Sequence, residues 1–512
     1  MSGSAPQRSD GDEPATSRPA RPRPATPDGK PVPRVPRGGR FRSAVRTPEQ
    51  WLARTWLELR RLSLGAGISL ALHVAILVIL AVIVIQQNRE DDLTPMLGGF
   101  GARKPPRATR EPMPITVAPI AQVAVAGNAT AKPAGDTEKA PPAVRAPTEV
   151  KVAGALAARS ADRPADALQE MGGNDETEKA VKRGLNWLAQ IQKPDGHWEL
   201  HQGYPDAGVI KTDTGATALA LLCFLGAGHT PQTGEHRARV ERGVEWLKRV
   251  QKQGDFLKGD FFDSNQEGEN ASFYAHAQAT MALAECLALT GDPTLKQPVL
   301  DGLNFIHESQ HPRTGGWKYR RGSEGDLSVF GWQIMAIQTG RMAGIEPPPE
   351  TLDRATRFLD LVQFDDGARY RYEPTSRTAT PAMTAEGLLC RQYLGWPRDH
   401  PALLSGARYL NEPDQTPRWD SGRRNVYQWY YAAQMLHNLQ GESWEGWNNL
   451  ARAELVKNQI RSGGKLSGSW NPTKPSGHPD ENAETGGRLY LTCLCVLTLE
   501  VYYRHLPLYR DP

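Results

Sequence analysis

The chain has 512 residues, of which 39% are hydrophobic and 23% charged, and its formal net charge is +4. Residues 1–61 contain 13 Lys and Arg against 6 Asp and Glu, a net of +7, so the rest of the chain sums to about −3. Because the basic excess is confined to this tail, no basic face on a folded domain is indicated, and we expect no nucleic-acid partner.

Residues 1–61 are rich in Pro, Gly, Ser and Arg and contain few large apolar side chains. Such a segment cannot bury enough apolar surface to offset the entropy cost of ordering, which predicts a disordered tail. Residues 62–85 then form a run of 24 residues without a charged side chain. As a helix this run would be roughly 36 Å long, which exceeds a hydrocarbon core of about 30 Å. It is predicted to be a single transmembrane helix.

The charges beside residues 62–85 predict the orientation of this helix. Arg54, Arg60 and Arg61 precede it, whereas residues 90–92 are all acidic. Positive charges favour the cytoplasmic side of a membrane span. We therefore expect a single-pass protein of the inner (plasma) membrane, with a cytoplasmic N-terminus and a periplasmic or otherwise extracytoplasmic C-terminal domain.

Two polar side chains, Ser69 and His73, lie four residues apart in the predicted span and would share one helix face. Polar groups inside a membrane are costly and often functional. The arrangement SLALHVAILVIL resembles the Ser and His pair in the anchor of TonB-type energy transducers. The resemblance implies a membrane partner that contacts Ser69 and His73, and the alternative is a plain anchor that tolerates a histidine.

Residues 86–173 are interleaved Pro, Ala and Val without periodicity, which predicts a semi-extended linker. A flexible coil of this length has an average end-to-end distance of roughly 50 Å. The chain has five cysteines, all beyond this linker and each inside an apolar helical pattern. An odd number in such positions favours buried thiols over a disulfide framework.

Residues 174–512 show two alternating types of predicted helix. The first type is apolar on one side only, as in Glu178–Gln192, His236–Gln251, Gln297–Gln310, Thr351–Gln363, Pro401–Leu410 and Trp447–Gln459. The second is apolar nearly all round, as in Thr214–Gly226, Ser272–Leu289, Ser328–Ala343, Met383–Tyr393, Val426–Leu439 and Gly487–Tyr503. Helices of the second type must be buried and those of the first lie outside them. The pattern predicts an all-α (α/α)6 toroid of six helix-pair repeats.

The turns between these helices repeat a motif that first occurs as LNWLAQIQKPDGHW, Leu185 to Trp198. Glutamines recur at its central position, at Gln251, Gln310, Gln363 and Gln459. We expect the closing aromatic to stack on the next outer helix and the glutamine amides to bond backbone groups at helix ends. The N-caps of the buried helices are predicted at Asp213-Thr214, Asn270-x-Ser272, Asp326-x-Ser328 and Glu484-Thr485.

The turns LAQIQKPDGHW, IHESQHPRTGGW and LVQFDDGARY resemble the QW repeats of squalene and oxidosqualene cyclases, a repeat family that includes the β subunits of protein prenyltransferases. The segments GDLSVFGWQIMAI and ETGGRLYLTCLCVLTLEVYY look like inner helices of bacterial membrane-anchored members. The resemblance covers about Asp175 to Leu508. It implies the same toroid and an apolar, isoprenoid-like ligand.

The catalytic motifs of that family do not carry over. Its cyclases use an Asp-x-Asp-Asp cluster in which neighbouring groups make one carboxylic acid strongly acidic, and residues 326–329 keep one carboxyl, Asp326. Its prenyltransferases bind zinc through Asp, Cys and His. Cys493 and Cys495 point apart on a helix at their i, i+2 spacing, and no partner completes a site. We expect no cofactor and no metal.

Seven side chains remain candidates for the centre of the ring. Asp326 is the candidate proton donor, and the candidate cavity residues are Asp213, Tyr274, His276, Glu386, Tyr430 and Arg488. The alternatives are that the aspartates are N-caps and that His276 is a hydrogen-bonded core residue.

Three functions are compatible with this pattern. The favoured one is non-catalytic binding of an apolar ligand or of a protein partner. The second is a cyclase-type or prenyltransferase-type enzyme with Asp326 as its relocated acid. The third is a carbohydrate-active (α/α)6 enzyme, which requires paired carboxylates and aromatics, for example Asp326 with Glu386 and Trp429.

Overall fold

The computed structural model describes residues 156, 159, 172–254, 256–262, 267–462, 464–504 and 506–509. The predicted tail 1–61 and the predicted span 62–85, with Ser69 and His73, lie outside these residues, as does nearly all of the predicted linker. None of the helices in the described ranges is both long and apolar enough to traverse a lipid bilayer.

Twelve main helices follow one another in this part of the chain. They are α1 (Asp175–Ile191), α2 (Asp213–Gly226), α3 (Arg237–Val250), α4 (Ser272–Thr290), α5 (Lys296–Ser309), α6 (Leu327–Met342), α7 (Pro349–Val362), α8 (Pro381–Tyr393), α9 (Pro401–Leu410), α10 (Val426–Leu439), α11 (Glu442–Asn458) and α12 (Gly487–Leu499). A short helix α13 (Val501–Arg504) follows α12. The turn after α7 contains the antiparallel strands β1 (Gln363–Phe364) and β2 (Arg369–Tyr370).

The even-numbered helices form a closed ring. Each packs against the next, α2 on α4, α4 on α6, α6 on α8, α8 on α10 and α10 on α12, and α12 returns to α2. The odd-numbered helices pack on the outside of this ring. Every residue of α2 after Asp213 is buried, as expected of a helix that is apolar all round. The predicted all-α (α/α)6 toroid is confirmed.

The helix bounds agree with the prediction to within three residues, except in the last repeat. Helix α11 begins at Glu442 rather than Trp447, and α12 ends at Leu499 before the separate α13. The five cysteines are buried and free, as expected. They act as small apolar side chains inside the ring.

The predicted N-cap at Asp326 is confirmed, since its Oδ1 accepts a hydrogen bond from Val329 N at 2.9 Å. Helix α2 is capped one residue earlier than predicted, by Thr212. The other two predictions are wrong. A 3-10 turn at 269–271 leads into α4, and Gly486 precedes α12, so neither helix has a side-chain cap. The caps of α8 and α10, Thr380 and Asn425, were not predicted from the sequence.

The turn glutamines join successive outer helices. Gln310 Nε2 donates to Gly315 O in its own turn at 2.9 Å and to Thr351 O, near the start of α7, at 3.1 Å. Three other turn glutamines make the same pair of bonds: Gln192 to Gly196 O and Arg239 O, Gln251 to Gly259 O and Pro298 O, and Gln459 to Gly468 O and Ala180 O. Because Ala180 belongs to α1, the last of these bonds closes the outer ring.

A glycine in each of these turns lets the turn approach the next outer helix closely. Gly315 has φ +82°, and a Cβ there would lie 1.8 Å from the carbonyl oxygen of Arg354 in α7. Gly468 repeats this against α1, with φ +97° and a Cβ position 2.0 Å from Arg183 O. Any other residue would be strained in its backbone and would push the next outer helix away.

The turn tryptophans fix each turn to its own outer helix. Three indole Nε1 groups donate to carbonyls at 2.8 Å: Trp198 to Leu188 O, Trp317 to Ile306 O and Trp470 to Leu455 O. These carbonyls lie in the last turn of a helix and have no intrahelical partner. Trp198 also packs on the next outer helix at Gly243, where a Cβ would lie 3.2 Å from its ring. The expected role of the glutamine is confirmed in four turns, and the expected contact of the closing aromatic with the next outer helix is confirmed at Trp198.

The fourth turn departs from this pattern. The amide nitrogen of Gln363 makes no such pair of bonds among the described residues, and its Oε1 accepts only a long bond from Arg391 Nη2, 3.5 Å. The strands β1 and β2 hold this turn instead. We call the two bonds that a turn glutamine makes, one to its own turn and one to the next outer helix, the joint. Gln363 does not form this joint and is therefore a natural control for it.

We expect Gln310→Met to lower the free energy of unfolding by about 1–3 kcal/mol, because two hydrogen bonds to carbonyls are lost while side-chain volume is kept. Gln363→Met should change it by much less. Chemical denaturation followed by circular dichroism measures both. Equal losses of unfolding free energy in Gln310→Met and Gln363→Met would show that the joint does not stabilise the ring.

Candidate functional site

The ring encloses a cavity of about 490 Å³ at the end where the inner helices begin. This volume is within the usual range of small-molecule sites, about 300–1,000 Å³. All six inner helices contribute to its wall, for example through Leu219 of α2, Tyr427 of α10 and Tyr490 of α12. The cavity is the candidate functional site.

The wall is aromatic and polar but nearly uncharged. Its aromatic residues are Tyr274, Tyr319, Trp332, Tyr372, Tyr427 and Tyr490. Its amides and aliphatic hydroxyls are Thr212, Asn270, Gln278, Ser328, Thr380, Asn425, Asn482 and Thr485. Among the described residues, Glu481 is the one carboxylate in the wall, and it accepts a hydrogen bond from the Asn425 amide.

Trp332 lies deeper in the cavity, five residues into α6. Its ring stacks on Tyr430, with centroids 5.7 Å apart and an interplanar angle of 17°. Tyr430 is therefore behind Trp332 rather than in the wall. A ligand that enters meets the indole face, which suits an apolar group.

Asp326 lies directly behind the wall and is completely buried. Its Oδ1 accepts hydrogen bonds from Ser328 Oγ at 2.8 Å and from Val329 N, and its Oδ2 accepts from Tyr372 OH at 2.8 Å. Burial raises the pKa of this carboxyl, and the three hydrogen bonds partly oppose the rise. Both oxygens are thus occupied by the residues that separate Asp326 from the cavity.

Two further hydroxyls extend this network to the cavity. Tyr274 OH lies 2.5 Å from Ser328 Oγ, and Tyr319 OH lies 2.8 Å from Tyr372 OH. When Asp326 is ionised, Ser328 and Tyr372 donate their protons to it, so they must accept from the two outer tyrosines. Tyr274 and Tyr319 then present oxygen lone pairs to the cavity. This part of the wall accepts hydrogen bonds from a ligand.

Glu386 does not pair with Asp326 at the cavity. It is completely buried behind Tyr427, whose hydroxyl donates to Glu386 Oε2 at 2.7 Å. Burial raises the pKa of Glu386 well above its usual range, which favours the neutral acid. Trp429 is also outside the wall and packs near Trp419, with ring centroids 6.2 Å apart. The paired carboxylates of the carbohydrate-active alternative are therefore not assembled.

Of the seven candidates from the sequence, Tyr274 alone is among the residues that line the cavity. His276 points away from the centre, toward α5, where its Nε2 lies 3.1 Å from Gly302 O and its ring centroid 4.7 Å from that of Phe305. Burial lowers its pKa, so the imidazole is neutral. His276 is a hydrogen-bonded core residue, which was the alternative.

Arg488 and Asp213 also lie away from the wall. Arg488 is buried, and its guanidinium bonds Asp206, the Pro205 carbonyl at 3.0 Å and Ser469 Oγ at 3.0 Å, which ties two turns together. Asp213 is the first residue of α2 and faces His197 of the preceding turn.

Tyr319 and Tyr372, which complete the hydroxyl network, were not predicted from the sequence. A signal was present, because each lies nine residues after its turn glutamine, Gln310 or Gln363. Equivalent repeat positions meet around a ring, so two tyrosines at that offset belong to the same region of the wall.

The opposite end of the ring contains a buried ionic cluster. Glu285 accepts hydrogen bonds from Arg504 Nη2 at 2.6 Å and from Arg159 Nη1 at 2.8 Å, and Arg159 Nε donates to Arg504 O at 2.7 Å. Burial lowers the pKa of Arg159, whereas the Glu285 charge contributes to a raised pKa of Arg504 despite burial. Arg159 belongs to the segment predicted to be linker, and at this one residue the segment packs on the cluster.

Parts of this chain are similar to known proteins. Residues 164–276 match the family model of the squalene-hopene cyclase C-terminal domain. A probable squalene–hopene cyclase of Sinorhizobium fredii is 26% identical over 288 residues, and a squalene–hopene cyclase of Bradyrhizobium diazoefficiens is 25% identical over 292 residues. The matches cover 50% and 51% of this chain, and the chain spans 43% of the length of each relative.

Solved structures with a similar chain path include a type II terpene cyclase from Scytonema in complex with geranylgeranyl dihydroxybenzoate, at 14% identity and a TM-score of 0.41, covering 64% of this chain and 97% of that one. A cellobiose 2-epimerase from Bacillus thermoamylovorans has 11% identity and a TM-score of 0.49, covering 64% and 98%. The fold itself follows from the closed ring of helix contacts. In its repeated turns and in its sequence relatives, the helical ring of this chain is similar to the squalene cyclase/prenyltransferase-like family.

Proposed function

We propose that the ring binds one small ligand in its central cavity and does not protonate it as a cyclase would. The ligand has an apolar body, which packs on Trp332, and a hydroxyl or N–H group, which donates to Tyr274 or Tyr319. The observation that carries this proposal is the position of Asp326, with both oxygens bonded to the residues that cover it. The squalene–hopene cyclase names of the relatives support an isoprenoid as the apolar body.

Cyclase-type protonation of an alkene requires a strong acid in contact with the substrate. Asp326 is a weakened acid, because burial raises its pKa, and it is not among the residues that line the cavity. The segment 326–329 supplies no second carboxyl that would make it more acidic. These features favour binding over catalysis.

The second candidate is an enzyme in which Asp326 acts through tyrosines. The chain from Asp326 Oδ2 to Tyr372 OH and on to Tyr319 OH is continuous, with both steps at 2.8 Å, and it ends at the cavity. A proton placed on Asp326 would reverse the direction of these bonds and make Tyr319 a donor to the ligand. This route would support mild acid–base chemistry.

We also infer that the ring is tethered to a membrane through residues 62–85, with the ring outside the cytoplasm and Ser69 and His73 free to contact a membrane partner. The uncharged run and the flanking charges support this inference. Release of the full-length protein from membranes by alkaline carbonate, without detergent, would contradict it.

We expect Ala382→Trp to weaken binding of farnesol, an isoprenoid alcohol, at least tenfold, because Ala382 lines the cavity and is the second residue of α8. The matched control is Ala238→Trp, at the exposed second residue of α3. Tryptophan fluorescence titration of full-length protein in detergent gives the dissociation constants. Equal constants for the two variants, or no saturable binding to the wild type, would contradict the proposal.

The state of Glu386 gives a pH-dependent prediction. The folded protein retains a proton on Glu386 that the unfolded chain releases as pH rises above about 4.5, so ionisation favours the unfolded chain and stability falls with pH. Glu386→Gln removes this loss of stability with rising pH, because glutamine does not ionise. Its free energy of unfolding relative to wild type should rise by more than about 1 kcal/mol between pH 4.5 and 7.

Denaturant unfolding of the two proteins at a series of pH values measures the difference, and Glu245→Gln, at an exposed position of α3, is the control. A difference that stays constant with pH would show that Glu386 is ionised in the folded ring. An ionised Glu386 would be a charged carboxylate near the cavity, and this would favour a catalytic function over binding alone.

A further inference from the structure

A group of metal-ligand side chains lies outside the cavity, between the first turn and the start of α2. Along residues 197–201 the side chains alternate, with Trp198 and Leu200 buried and His197 and Glu199 on the other side. His197 Nε2 lies 3.7 Å from Glu199 Oε1 and 3.9 Å from Asp213 Oδ2. One ligand atom from each residue lies within 4.8 Å of the other two.

The imidazole is held in the orientation of a metal ligand. Its Nδ1 lies 2.6 Å from Asp195 Oδ1, and its ring stacks on Trp246, with centroids 5.3 Å apart and an interplanar angle of 26°. A proton on Nδ1 that is donated to Asp195 leaves the lone pair of Nε2 directed at the two other carboxylates. A carboxylate that orients a histidine through its distal nitrogen is a recurrent arrangement in metal sites.

The distances from His197 Nε2 to the Glu199 and Asp213 carboxylate oxygens fit ligands of one shared cation better than they fit direct hydrogen bonds. Hydrogen bonds between nitrogen and oxygen are about 2.7–3.2 Å long, shorter than the observed 3.7 and 3.9 Å. Ligands bound at about 2.0–2.2 Å from Zn²⁺ lie roughly 3.4 Å apart in a tetrahedron and about 4.2 Å apart when opposed. The observed distances fall between these two values.

The charges around the space between His197, Glu199 and Asp213 also favour a bound cation. Three carboxylates meet there, from Asp195, Glu199 and Asp213. The cations beside them are the Lys193 ammonium, on Glu199 Oε2, and the Arg249 guanidinium, which donates to the backbone oxygen of Asp195 at 3.1 Å. Among the described residues, no donor hydrogen-bonds the Asp213 carboxylate, which is half-buried at the start of α2. The three carboxylates therefore outnumber the two cations beside them.

We propose that His197, Glu199 and Asp213 bind one divalent transition-metal ion of the Zn²⁺ class. One imidazole nitrogen with two carboxylate oxygens suits such an ion better than Mg²⁺ or Ca²⁺, which bind oxygen ligands. The ion ties the first turn to the first inner helix. Leu200 and Thr212, beside its ligands, line the cavity, so the ion also fixes one side of the cavity wall.

The test uses full-length protein without a histidine tag, stripped with a chelator and titrated calorimetrically with ZnCl₂ and, for comparison, with MgCl₂. We expect one equivalent of Zn²⁺ to bind, a rise in the unfolding temperature, and no saturable Mg²⁺ binding. Asp213→Asn and Glu199→Gln should each weaken Zn²⁺ binding at least thirtyfold. Lys193→Met should tighten it, because the competing ammonium is removed, and Glu245→Gln should leave it unchanged.

X-ray absorption of the zinc-loaded wild type provides a readout that needs no variant. Nitrogen and oxygen ligands without sulfur are expected, whereas sulfur ligands would place the ion on the cysteines and overturn the proposal. Absence of saturable Zn²⁺ binding would overturn it too. Zn²⁺ binding that is unchanged in both Asp213→Asn and Glu199→Gln would also overturn the proposal.

Discussion

The architecture depends on one hydrogen-bonded joint, in which a turn glutamine bonds a carbonyl of its own turn and a carbonyl of the next outer helix. The joint occurs at Gln192, Gln251, Gln310 and Gln459. The last of these bonds returns to α1 and so connects the two ends of the outer layer, whereas the fourth turn is held by β1 and β2 instead. Closure is what allows six apolar helices to bury all of their faces at once, because a ring leaves no end exposed.

The same joint sets where the cavity lies. Because the turn after each outer helix leads the chain back to the same end of the ring, all six inner helices begin there, and the segments before them meet around a common space. Residues just after the turns, such as Tyr319 and Tyr372, are carried to its wall. The other end is filled by the Glu285 cluster, to which Arg159 contributes from outside the repeats.

The sequence predicted the ring well and the cavity poorly, for different physical reasons. Buried helices are recognisable from hydrophobicity alone, and the turn motif repeats in the chain itself. Which residue of a helix start faces the centre depends on helical phase. Tyr274 and His276 are two residues apart, so their side chains point about 200° apart, and one faces the cavity while the other faces α5. The packing of Arg159 was hidden by the Pro/Ala composition around it.

We propose that this ring binds its ligand without transferring a proton from Asp326 to an alkene. Incubation of the full-length protein with squalene in D₂O, followed by mass spectrometry of all recovered hydrocarbons and alcohols, tests this proposal. We expect no deuterium in the products and no cyclic product above the level of an Asp326→Asn control. A deuterated cyclic product that disappears in Asp326→Asn would contradict it and establish Asp326 as the acid.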